Sequence, residues 1–244
     1  MSSPDITDAE RAAVAKVMGT TSLSMGREIQ EFEQAFAEYT GVRNVIGVNS
    51  GTAGLHLCVR GLGIGDSNPN QRDLVITTPF SFVASANVLL FERAVPIFVD
   101  VDPQTGNIDV EQAQDAAHAL MQGRPQAQKW LPRRGGGGKF RLKGILPVDV
   151  FGQPADMQGI NSIAKKWGLN VIEDSCEALG AEYKGKLAGT LGDCGVYAFY
   201  PNKQITTGEG AVVITDDDQL AEIIRAMRNQ GRAPGDTWLQ HTHL

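Results

Sequence analysis

From Asn44 onward the sequence alternates short, β-branched apolar runs with longer segments of helical pattern, and few architectures accommodate that rhythm. NVIGVNS, LVITTPF, VPIFVDV, KGILPVDVF, NVIEDS, GVYAFY and GAVVIT read as strands. GTAGLHLCVRGLG, SFVASANVLLFER, DVEQAQDAAHALMQ, ADMQGINSIAKKWG and DDDQLAEIIRAMRNQG read as the helices among and after them. A strand–helix–strand succession makes parallel neighbours joined by crossovers, and the helices then cover both faces of one wide sheet. GVYAFY and GAVVIT have no helix between them, which leaves one of the two free to run antiparallel. The expected fold is α/β, with three α/β/α layers around a mostly parallel seven-stranded sheet.

Residues 1–43 precede this core as a helical segment expected to pack on a large domain of residues 44–244. Asp5 or Thr7 can cap a first helix running to about Met18. In GREIQEFEQAFAEYTG, residues Ile29, Phe32, Phe36 and Tyr39 recur at helical spacing and form a core face. Residues 124–140, RPQAQKWLPRRGGGGKF, break the rhythm with five basic residues, two prolines and four consecutive glycines, and read as an exposed, flexible insertion. With 244 residues and 42% hydrophobic content the chain can bury one large core. Its net charge of −6 opposes a nucleic-acid partner. No run of 18 apolar residues occurs, and the N-terminus is charged and helical rather than a signal peptide, so a cytoplasmic protein is expected, off the membrane. Cys58, Cys176 and Cys194 are odd in number and lack a CxxC pair, which suits reduced thiols. His241 and His243 form a single HxH pair, too few ligands for a metal site.

Three strand-end loops carry residue types that folding alone does not require. Asn49-Ser50-Gly51-Thr52 opens a helix directly after a strand, where free amides and the helix dipole suit a phosphate. The same residues also serve as an ordinary cap. Glu173-Asp174-Ser175-Cys176-Glu177 follows the apolar NVI, and a carboxylate at that buried end needs a cationic partner: a protonated ring nitrogen, or an internal arginine. Lys203 lies on the loop after GVYAFY, where apolar and small neighbours would desolvate its ammonium and free the amine as a nucleophile. Taken alone it reads equally as a solvated loop lysine. Reactive lysine, phosphate turn and buried aspartate together meet the requirements of a pyridoxal phosphate site. Phe82 has the ring to stack on such a cofactor, or to fill the core.

SGTAGLHL, TTPFSFVASANVLLFERAVPIFVDVD, LPVDVFGQPADM, EDSCEALGAEYKGKLAGTLGD and FYPNKQITTGEGAVVITDD resemble the DegT/DnrJ/EryC1/StrS family of sugar aminotransferases, along nearly the whole chain. The resemblance implies the large domain of the type I pyridoxal phosphate fold. It also implies that Lys203 is the Schiff-base lysine and that Asp174 pairs with the ring nitrogen. Gly51 and Thr52 would bind the 5′-phosphate, Phe82 would stack on the ring, and Glu177 would lie beside the phenolic oxygen. The implied reaction moves an amino group, from glutamate, to a nucleotide-linked keto sugar in a homodimer, for cell-surface polysaccharide or other amino-sugar biosynthesis. Two positions depart from the family's habit. Glu177 stands where glutamine or histidine is frequent, so its carboxyl has to be protonated or hydrogen-bonded there. Ala198 replaces a frequent serine and removes one hydroxyl from the phosphate. The family also continues beyond the region of TWLQHTHL into a smaller C-terminal domain, so the expectation is the large domain alone, with a truncated non-catalytic homologue as the alternative. A sugar dehydratase of the same fold is a further alternative; its branch carries histidine in place of the lysine, and Lys203 opposes it.

Overall fold

The computed structural model describes residues 3–65, 70–132 and 139–232. Helices α1 (Asp8–Met18) and α2 (Arg27–Thr40) lead into β1 (Asn44–Val48), α3 (Gly51–Gly61), β2 (Gln71–Thr77), α4 (Ala84–Phe91) and β3 (Val95–Phe98). Then come α5 (Val110–Met121), β4 (Lys139–Ile145), α6 (Met157–Trp167), β5 (Asn170–Asp174), β6 (Glu182–Tyr183), β7 (Lys186–Leu187), β8 (Cys194–Ala198), β9 (Ala211–Thr215) and α7 (Asp218–Arg228). Seven strands form one sheet in the order β1-β9-β8-β5-β4-β2-β3, and β6 and β7 pair as a separate small hairpin. β2, β3, β4, β5 and β8 are parallel; β9 runs antiparallel to both of its neighbours, β8 and β1. With no crossover helix between β8 and β9, antiparallel pairing is what so short a connection allows.

Because successive strand residues point to opposite faces, each central strand feeds two cores. Val196 and Val213 join Leu55, Cys58 and Val59 of α3, Val88 and Leu89 of α4, and Leu220 and Ile224 of α7. On the other face, α5 and α6 pack against Leu74, Ile76, Leu142 and Val171. Phe36 of α2 completes that face against Tyr197, Phe199, Val212 and Ile214, with ring centroids 5.3 Å from Tyr197 and 6.0 Å from Phe199. The three α/β/α layers are therefore as the periodicity predicts.

Of the two helices in the N-terminal segment, the second supplies a buried side chain, Phe36. Thr7 caps α1 in a capping box with Glu10, yet α1 buries no residue. In α2, Tyr39 is 53% exposed and falls off the expected core face. It sits on the last turn of α2, with its ring edge-on to Phe36 at 6.0 Å. The expected flexible insertion is ordered at both ends: residues 125–129 form a 3₁₀ turn with Ala127 buried, Trp130 and Leu131 pack on the α5–α6 core, and Lys139 and Phe140 open β4. Two large apolar side chains gave that segment something to bury. Arg133, Arg134 and the glycines 135–138, like His241 and His243, lie outside the described residues. Among the described residues no helix is long and apolar enough to cross a membrane.

Behind the sheet's centre, Gly195 of β8 lets the carbonyl of Gly189 lie directly against the strand, where an added Cβ would overlap that backbone oxygen. β8 is pinned between β5 and β9, so it has no room to shift. Gly195→Ala is expected to destabilise the protein by about 3 kcal/mol or more. An unchanged urea midpoint would contradict this packing.

Candidate functional site

The three loops singled out in the sequence all leave the carboxyl ends of strands that run in one direction, the position where open α/β sheets hold ligands. They converge through Gly51. A Cβ built on it would sit 2.9 Å from Cys176 Sγ and 3.0 Å from Ala198 Cβ, so the start of α3 touches both the β5 loop and the end of β8. Ser50 caps α3 by accepting from Ala53 N at 3.1 Å. That cap leaves the amides of Gly51 and Thr52 outside it, at the positive end of the helix dipole.

The end of β5 separates its two carboxylates by strand alternation. Glu173 turns to one face and accepts the amides of Gly189, Leu191 and Gly192, at 2.9, 2.5 and 2.5 Å. Burial and the charge of Asp149 push its carboxyl up to about 7, against the pull of those three donors. Asp174 turns to the face of α3 and α4 and is only 6% exposed. Ser85 Oγ donates to Asp174 Oδ2 at 2.6 Å, and Cys176 N approaches Asp174 Oδ1 at 3.4 Å. Both donors are neutral, and among the described residues no arginine, lysine or histidine pairs with this carboxylate. Among the described residues, the internal arginine allowed as its partner is therefore not found. Ser85 also fixes the turn that carries Phe82, since its backbone amide donates to Phe82 O at 3.2 Å. Phe82 itself precedes α4 and is 78% exposed, so it is not a core residue.

Lys203 lies on a compact connection between β8 and β9. Phe199 O accepts both Thr207 N at 3.0 Å and Thr206 Oγ1 at 2.9 Å, just past the end of β8 at Ala198. Lys203 Nζ sits 2.9 Å from Glu177 Oε1, with the lysine side chain 15% exposed. The apolar surroundings expected for Lys203 are replaced by an ion pair. Glu177 Oε2 in turn accepts Phe151 N at 3.1 Å, and Gln204 Nε2 donates to the Glu177 carbonyl. Glu177 thus ties together the loops after β4, β5 and β8. Phe151 adopts φ +54 and exposes 82% of its surface beside Phe80, ring centroids 5.8 Å apart. Cys176, although central, is an inert thiol: burial and then Asp174 raise its pKa well above the usual cysteine range.

Sequence reasoning missed Ser85, Ser175 and Asp149. Asp149 had a usable signal, because LPVDV carries a lone carboxylate at the end of an apolar run, as NVIED does. Ser85 and Ser175 gave none, since a serine beside a strand end or in a helix's first turn is ordinary.

The sequence model of the DegT/DnrJ/EryC1/StrS aminotransferase family matches residues 4–244. The GDP-perosamine synthase of Caulobacter vibrioides is 41% identical over 235 residues, covering 96% of this chain and 56% of that enzyme. The UDP-4-amino-4,6-dideoxy-N-acetyl-beta-L-altrosamine transaminase of Campylobacter jejuni is 33% identical over 226 residues, 93% of this chain and 54% of its own length. Among solved structures, a DegT DnrJ EryC1 StrS aminotransferase from Brucella abortus matches with a TM-score of 0.80 at 32% identity, over 95% of this chain and 57% of that one. The chain spans a little over half the length of these proteins.

Proposed function

The chain belongs to the DegT/DnrJ/EryC1/StrS aminotransferase family, and we propose that it binds pyridoxal 5′-phosphate and transfers an amino group, with glutamate as donor, to a keto sugar carried on a nucleotide. The observation that carries this reading is the convergence of Lys203, a buried Asp174 whose partners among the described residues are neutral, and the start of α3 at Gly51. These residues fit the cofactor. A carboxylate held by neutral donors in a buried place is suited to a cationic ring nitrogen. The amides of Gly51 and Thr52, with the helix dipole behind them, suit a phosphate.

When bound, the cofactor supplies an electron-accepting ring that stabilises negative charge at the donor's α-carbon. Asp174 holds the ring nitrogen protonated, and Ser85 holds Asp174 in place. The exposed ring of Phe82 would be available to stack on the cofactor. Lys203 would hold the cofactor through Nζ, and the same nitrogen would carry the proton taken from the donor's α-carbon. Glu177, 2.9 Å from Nζ, keeps the lysine aligned when that nitrogen is charged. On this reading residues 44–244 form the cofactor-binding large domain, with residues 1–43 packed on it, in a cytoplasmic homodimer serving cell-surface polysaccharide or other amino-sugar biosynthesis. Both relatives named above carry a nucleotide and an amino sugar in their names, which supports that substrate class.

The test incubates the protein with pyridoxal phosphate, ¹⁵N-glutamate and GDP- or UDP-linked keto sugars, with ¹⁵N followed into the sugar by mass spectrometry. Transfer is expected. Cofactor uptake without transfer to any such sugar would overturn the substrate, and no uptake would overturn the whole reading in favour of a non-catalytic homologue.

A further inference from the structure

We propose that Asp149 is a positioning residue that acts with Asp174 in holding a cationic ring at this site, as a second buried negative charge one strand away. The inference rests on the cofactor reading above. After β4 the chain continues alongside β5: Asp174 N donates to Pro147 O, and Asp149 N donates to Asp174 O, each at 3.0 Å. The two carboxylates therefore leave adjacent strand ends. Asp149 is 2% exposed and Ser175 fully buried. Ser175 Oγ donates to Asp149 Oδ2 at 2.5 Å, and Ala155 N donates to Asp149 Oδ1 at 2.9 Å.

Among the described residues, the groups around this carboxyl are acidic or neutral. The charge of Asp174, from β5, acts on it, and its own charge acts in turn on Glu173 of β5 and Tyr197 of β8. Asn107, which accepts Val150 N at 3.1 Å from the loop before α5, carries no charge. Burying two carboxylates together without a cation is unfavourable, and a cation delivered to Asp174 relieves both. Burial pushes the Asp149 carboxyl up to about 6 against the hydrogen bonds from Ser175 and Ala155, with the charge of Asp174 adding a smaller push in the same direction. A ring cation at Asp174 favours the ionised form of Asp149. By reciprocity, ionisation of Asp149 tightens the hold on the ring, so affinity gains a component that rises with pH through about 6.

The experiment measures equilibrium binding of pyridoxamine 5′-phosphate from about pH 5 to about pH 8, by wild type and Asp149→Asn. Asparagine keeps an acceptor for Ala155 N and removes the charge. The probe's own ionisations are common to both proteins and cancel in the ratio of affinities. Near pH 5 the two are expected to agree within about twofold, and near pH 8 the variant binds roughly tenfold more weakly. A ratio independent of pH overturns the role of Asp149 and leaves the cofactor reading standing. Failure of both proteins to bind at any pH overturns the cofactor reading and this inference with it. Should Asp149→Asn not fold, carboxyl ¹³C titration of the wild type decides. The aspartate titrating near 6 is expected to move down by about one pH unit on saturation with the probe, and an unmoved midpoint overturns the role.

Discussion

Lys203→Ala is expected to reduce amino-group transfer by roughly 10³-fold or more and to abolish the absorbance at the edge of the visible that pyridoxal phosphate gives with the wild type. Both effects come from one nitrogen. Nζ is the amine that lies beside the converging loops, and the same nitrogen would carry the proton during transfer. Borohydride treatment of the wild type with the cofactor should fix it to the peptide containing Lys203, and the variant should give no such peptide. Folding should survive the change. The side chain ends in a partly exposed ion pair with Glu177, and such pairs contribute only about 1 kcal/mol or less. A folded Lys203→Ala that still transfers amino groups at the wild-type rate would remove the lysine from the mechanism.

Asp174→Asn separates function from stability. Asparagine keeps an oxygen for Ser85 Oγ, which donates to Asp174 at 2.6 Å in the native protein. It cannot balance a protonated ring nitrogen. Losing one partner of a buried ion pair costs about 3–5 kcal/mol, so cofactor affinity and transfer should each fall by roughly 10²-fold or more. The cofactor-free protein should melt no lower than the wild type, because a buried carboxylate without a cation is itself unfavourable. Parallel thermal melts and cofactor titrations read the two effects separately. A large drop in melting temperature, with affinity unchanged, would make Asp174 a structural residue.

The layers of the fold were legible because strand and helix patterns repeat over a few residues and report local burial. The missing helix between GVYAFY and GAVVIT left one of the two free to run antiparallel, and the structure shows that it is β9. The β6–β7 hairpin was not legible, since two-residue strands leave no periodic pattern. Tyr39 was assigned to the core by its spacing alone, but it lies on the last turn of α2 and is 53% exposed. The ordered ends of the 124–140 segment were hidden by its prolines and glycines, which outweigh Trp130 and Leu131 when only composition is considered.

The site divides in the same way. Lys203, Asp174, Gly51, Thr52 and Phe82 stand on sequence signals at strand ends, and Glu177 was marked as a departure whose carboxyl needed a partner. That the partner is Lys203, with Phe151 N on its other oxygen, depends on the loops after β4, β5 and β8 lying side by side. By itself the sequence determined which residues end strands and which helix faces are apolar, because hydrophobic periodicity acts over neighbouring residues. Only the tertiary structure decided which of those strand ends are neighbours. The order β8-β5-β4 sets Asp149 beside Asp174 and Glu177 beside Lys203, through contacts between residues 25 or more positions apart, which no local pattern encodes.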